Sequence, residues 1–221
     1  LQSFFNITGL SDPTQFPPID EEKITGYFGD FRFSDAYLNS LDFSISPNSI
    51  SQASASFTVY GELDYDDSIT SSYYSSNDYS QKSIAHGSTT KLLGIGGLGI
   101  DHPVGFNYSI NVERIPRYSV PTGSSYDSAG LVPDRVAKSK TTVSMTVDGE
   151  GLDPNILSEG FGGKRANLRV ELMDLSYQNF EDNSNGFMHA FACSGSIQSQ
   201  SLSVNSAGYL NGSVSVVQQI K

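Results

Sequence analysis

The 221-residue chain has one cysteine, Cys193, and no tryptophan. A lone thiol cannot close an internal disulfide, which argues against a small export-stabilised scaffold. Basic residues are scarce as well: 13 Lys plus Arg stand against 24 Asp plus Glu, a formal net charge of −11. Sequence-independent affinity for duplex DNA needs cations that displace counterions from phosphates, so a general DNA binder is excluded. Long apolar runs are missing too. The longest, Leu92–Ile100, is interrupted by glycines and falls far short of the roughly 20 residues that cross a bilayer. The opening LQSFFNITGL lacks a cationic start and a sustained apolar segment, so no signal peptide is visible and no membrane partner is expected.

What the chain does have is serine, 36 of them, and two-residue alternation. In LDFSIS, Leu41, Phe43 and Ile45 share one face while Asp42, Ser44 and Ser46 share the other, the pattern of a strand with one wet side. The same alternation marks Ala53–Tyr60, Phe106–Val112, Thr141–Asp148, Ala166–Asp174, Ser196–Val204 and Gly212–Ile220. These runs predict an all-β protein, an antiparallel β-sandwich or barrel, with long inter-strand loops. Helical signals are short. Ser34 could cap a turn or two over Ser34–Leu41, and Asp153-Pro154 predicts one short flanking helix near Pro154–Glu159, ended by Gly160.

The whole of 1–221 reads as one domain with loop insertions at about 61–101 and 114–138. The first begins with the Tyr-, Ser- and Asp-rich stretch Gly61–Lys91, too poor in aliphatic residues to build a core; the second carries Pro116, Pro121 and Pro133 and should run as an extended arm. An offset of 157 overlays Ser44–Ser49 on Ser201–Ser206 and Ala55–Val59 on Gly212–Val216, which reads as a repeated strand, turn, strand unit.

Catalytic and metal chemistry find little support. His86, His102 and His189 lie far apart, and none pairs at ligand spacing. Cys193-Ser194-Gly195-Ser196 lacks the leading glycine of a nucleophile elbow. The carboxylate pairs Asp66-Asp67, Glu21-Glu22 and Glu181-Asp182 lack a calcium-loop spacing. Gly94, Gly96 and Gly99 satisfy G-x-G-x-x-G with no helix-forming stretch after them, so KLLGIGGLGI is read as an apolar arm packing on its own domain or on a neighbouring subunit. No catalytic residue, metal or cofactor is expected, and the chain is not read as an enzyme.

Charge distribution says more. Residues 1–67 hold eleven acids and two bases, whereas 114–140 hold Arg114, Arg117, Arg135, Lys138 and Lys140 against two acids. An acidic and a basic segment on opposite ends of a subunit would favour head-to-tail assembly.

FMHAFACSGSIQSQSLSVNSAGYLNGSVSVVQQIK, together with LNSLDFSISPNSISQASASFTVYG, resembles tail tube proteins of long-tailed bacteriophages, and NYSINVERIP leading into a long loop is similar to that family and its tail hub relatives. About half of the chain is covered. The resemblance implies a virion structural protein of the tail, assembled in the bacterial host cytoplasm. Its hexameric rings would stack into a conduit and meet other tail proteins such as baseplate, terminator or sheath, with genomic DNA passing as non-sticking cargo. On this reading Arg114, Arg117 and Arg135 contact a neighbouring ring. Asp64, Asp66 and Asp67 form an acidic loop facing solvent, lumen or the basic loop. The alternatives are a head decoration or neck protein, and a secreted carbohydrate-binding or adhesion module using the twelve tyrosines for stacking.

Overall fold

The computed structural model describes residues 23–28, 30–65, 85–118, 132–152, 164–174, 187–204 and 210–220. They form β1 (Ile24–Phe28), β2 (Phe31–Ile45), β3 (Gln52–Val59), β4 (Leu63–Tyr65), β5 (Ala85–Leu93), β6 (Ile100–Arg117), β7 (Arg135–Leu152), β8 (Arg165–Asp174), β9 (Phe187–Val204) and β10 (Leu210–Ile220). All ten belong to one antiparallel sheet in the order β1-β2-β6-β7-β10-β9-β8-β5, with β3 and β4 also paired to β2. The all-β character holds. In place of two stacked sheets or a fully laddered barrel there is one sheet that curls upon itself.

Ring contacts measure that curl. Phe43 on β2 and Phe191 on β9 lie four strand steps apart along the sheet, which a flat arrangement would spread over about 19 Å. Their ring centroids are 4.6 Å apart, and Tyr108 on β6 lies 4.8 Å from Phe191. The inward residues of the alternating runs therefore meet in the middle, where Leu41, Ile110, Val143, Met145, Val170, Leu172, Val214 and Val216 are fully buried. Each such side chain contributes about 1.5–3 kcal/mol through removal from water. Where the two ends of the curl approach, Ile50 and His86 form a single antiparallel bridge and the Gly87 amide donates to the Ser49 carbonyl at 2.9 Å.

Several elements differ from expectation. Ser34–Leu41 is not helical but part of β2: the Ser34 hydroxyl accepts from the Glu62 amide across the sheet rather than capping a turn. Asp35, at φ 52, takes the left-handed conformation where β2 passes from its pairing with β4 to that with β3, and Lys23 bridges its carboxylate at 2.9 Å. The segment 61–101 is not a plain loop, since it includes β4, β5 and a short 3-10 helix, Ile95–Leu98. Gly94 and Gly99 flank that helix in left-handed conformations, and Leu98 and Ile100 are buried in the chain's own core. The apolar arm thus packs on its own domain. The segment 114–138 begins and ends as strand, because the β6–β7 ladder runs on to Arg117 and Arg135. The helix expected at Pro154–Glu159 lies outside the described residues. The repeat corresponds to two hairpins, β2–β3 and β9–β10, but β3 is mostly exposed where β10 is half buried in alternation.

Candidate assembly surfaces

The longest ladder, β6 with β7, projects beyond the core. Val112 opposite Thr141 is the last pair with both members buried; past it stand Glu113 opposite Lys140, Arg114 opposite Lys138, Ile115 opposite Ala137, Pro116 opposite Val136 and Arg117 opposite Arg135. Pro116 fits here because β2 pairs with β6 only as far as Asn111, so no ladder amide is needed on that side. The projecting end is rich in cations.

The three arginines singled out by sequence do different things. Arg114 is half-buried: its Nε donates to the Leu38 carbonyl at 3.4 Å and its guanidinium lies 5.3 Å from the centre of the Tyr37 ring, which itself packs edge-on against Tyr60. It ties the base of the projection to β2 within one molecule. Arg117 and Arg135 are exposed and face each other in register at the tip. Of the acidic candidates, Asp64 is exposed on β4 opposite Arg32, whereas Asp66 and Asp67 lie outside the described residues. β4 pairs with β2, so no ladder brings Asp64 to the arginine tip.

A second surface had no motif to announce it. Alternation that sends Leu, Phe, Val and Met inward sends small polar residues outward, and the strand register aligns them into rows. One row runs Gln52, Ser44, Asn107, Thr146, Ser215, Ser199; the next runs Ser54, Asp42, Ser109, Ser144, Val217, Ser196; a third runs Ser56, Ser40, Asn111, Thr142, Gln219. The Thr146 hydroxyl donates to the Ser215 hydroxyl at 3.2 Å. From β3 to β9 no Lys or Arg stands in these rows; on β8, Arg165 lies opposite Ser196 at the end of the second. The high serine count was the signal, legible once the strands are placed side by side.

A third feature is the outer border of β3. Residues Ser40–Ser44 of β2 are paired with β3 on one side and β6 on the other, so β3 lies outermost. Among the described residues no further strand pairs with it. Its sequence, QASASFTV, contains no charge and no proline.

Two buried groups are shifted from their ordinary proton affinities. Cys193 is buried and its Sγ donates to the Val216 carbonyl at 3.4 Å; loss of solvent pushes its thiol up to about 11. Burial likewise raises the Tyr108 phenol above its ordinary range. Gly94 and Gly99 flank a four-residue 3-10 helix that contains Gly96, which is not a phosphate-cradling strand, loop and helix. His86 accepts the Ser88 amide at Nδ1, 3.1 Å away, and His102 stands opposite Glu150. Among the described residues no group of three or more His, Cys, Asp or Glu side chains could hold a metal ion. No known family model matches the chain, and no curated protein matches it.

Proposed function

We propose that the chain is a structural subunit that assembles with copies of itself, a tail tube protein whose stacked rings form a conduit for phage DNA. The observation that carries this reading is the exposed pair Arg117 and Arg135. Like charges directly opposite on a sheet destabilise it, so a fold that keeps them at the exposed end of the β6–β7 ladder gains from an anionic partner. The chain supplies such a partner: residues 1–67 carry a net charge of −9. Contact between the basic tip of one copy and the acidic part of the next is head-to-tail, the geometry that generates rings and filaments.

The hydroxyl and amide rows fit the passage of DNA. A wall without cations releases no counterions from phosphate and therefore does not hold the duplex. On this reading Arg114 braces the projection and is not itself a contact to the neighbouring ring. Negative-stain microscopy of the purified protein tests the proposal: rings or tubes are expected, and replacing Arg117 and Arg135 together by Glu should leave folded subunits that do not form them. Tubes of normal length from that variant would remove the arginine tip from the account.

One observation favours a second reading, a glycan-binding module. Phe31 and Tyr65 pack edge-to-face at 5.7 Å while remaining 46% and 66% exposed, a stacking surface of the kind sugars use. Glycan binding without rings would select that reading.

A further inference from the structure

We infer that a polar cleft where β8, β9 and β10 meet is a binding site for an acidic saccharide, a ring bearing hydroxyls and a carboxylate, with Arg165 holding the carboxylate. The inference goes beyond self-assembly and does not depend on it.

The strand register builds the cleft. Arg165 on β8 stands opposite Ser196 on β9, and Ser196 stands opposite Val217 on β10, so the three form one cross-strand row. Asn167 stands opposite Ser194, two residues along each strand and on the same face. Two irregularities then open the surface. The β9–β10 ladder ends at Ser196 and Val217, and beyond it the Ser194 amide donates to the side-chain Oε1 of Gln218 at 3.0 Å. On the other side of Ser196 the register shifts between Ser215 and Val216, so that Gln198 has no opposite number on β10, and it is exposed. Bulges of this kind re-aim side chains beside functional sites. The cavity so formed measures about 400 Å³, within the range of small-ligand sites.

Its lining sets the chemistry of the ligand. Gln198, Gln218 and Gln219 carry amides that both donate and accept, and the Ser196 hydroxyl does the same. The Ser194 hydroxyl donates to Asn167 Oδ1 and keeps its lone pairs for a donor from outside. An apolar ligand would leave these groups desolvated and unpaired, whereas a ring of hydroxyls, each a donor and an acceptor, satisfies them. Arg165 is exposed and is the one charged residue of the lining, in a chain of net charge −11. Its planar guanidinium matches a carboxylate with two parallel hydrogen bonds, and a single cation in so acidic a chain admits a singly charged ligand before a polyanion. No aromatic ring lines the cleft, so it recognises by hydrogen bonds and charge, unlike the stacking surface of Phe31 and Tyr65.

Calorimetric titration of the full chain tests the cleft. The probes are glucuronate and galacturonate oligosaccharides and sialyllactose, each beside its carboxyl-reduced, neutral counterpart. Saturable binding of at least one acidic probe is expected, with its neutral counterpart weaker by about tenfold or more. Arg165→Gln changes an exposed side chain, so it should unfold like wild type and lose about tenfold or more for the acidic probe while binding of the neutral one stays the same. Gln198→Ala and Gln219→Ala together should weaken both probes, and Phe31→Ala should weaken neither. Absence of binding by every acidic probe at millimolar concentration would overturn the site, as would equal binding of the reduced counterparts. Binding that survives R165Q but is lost in F31A would move the sugar to the aromatic surface. Inorganic sulfate displacing the acidic probe as well as free uronate does would show an anion site only and overturn the saccharide assignment. Failure of the titration leaves self-assembly standing, and a chain that never forms rings leaves the cleft standing.

Discussion

Arg117 and Arg135 occupy directly opposite positions at the exposed end of the β6–β7 ladder. Replacing either one by Glu converts a like-charge pair into an opposite-charge pair, worth about 0.2–1 kcal/mol in the folding of the isolated subunit. The account predicts that R135E melts slightly higher than wild type yet assembles less well, with the defect deepest when R117E is added. Differential scanning calorimetry and sedimentation read the two effects separately. A variant that is both less stable and fully competent to assemble would place the arginines in the fold and not in the interface.

The contact of Phe43 with Phe191 closes the curl. Phe43→Ala removes a fully buried ring and should cost about 3–5 kcal/mol in urea unfolding. A cost below about 1 kcal/mol would mean that the sheet does not close around this pair.

Glycine substitutions separate a packing role from a phosphate-loop role. At Gly195 on β9 a Cβ would overlap the Val217 carbonyl oxygen on the neighbouring β10, so G195A should be strongly destabilising, by more than about 2 kcal/mol. At Gly96 nothing lies within 4 Å of the added methyl, and G96A should unfold within about 0.5 kcal/mol of wild type. Equal losses at both sites would contradict the packing described here.

The buried Cys193 gives a pH signature. Its thiol, ordinarily near 9.0, is pushed up to about 11 by burial. Between those values the folded chain binds more protons than the unfolded one, so this contribution is fully present below about pH 9 and is lost as the pH rises towards 11. Native protein should resist maleimide at neutral pH and react fully once unfolded, and C193A should flatten the alkaline fall in stability. Rapid labelling of the native protein would show the thiol to be accessible.

The strand cores were legible wherever one face is dry. Leu41–Ser46, Ala53–Tyr60 and Ala166–Asp174 fall within a residue or two of β2's end, β3 and β8, because inward Leu, Phe and Val alternate with outward Ser and Asp. Legibility stopped where strands are wet on both faces. β6 and β7 run to 18 residues each, and their ends carry Glu113, Arg114, Pro116, Arg135 and Lys138, a composition that reads as loop unless the partner strand is known. β5 was missed for a related reason: its start, His86 to Thr90, is polar, and its register against β8 is broken between Ala85 and Thr90. Ser34 looked like a helix cap because its hydroxyl does bond a backbone amide, but that amide belongs to Glu62 across the sheet. Of the candidate site, Arg117 and Arg135 could be chosen from sequence by charge alone; their juxtaposition, the serine-rich rows and the outermost place of β3 are properties of pairing, which one-dimensional alternation does not specify.

Sedimentation velocity of the wild-type chain over a rising concentration series tests self-assembly most directly. The account predicts a boundary that moves from the 23.9 kDa subunit to ring-sized and longer species as concentration increases. A single boundary at the subunit mass throughout the series would contradict it.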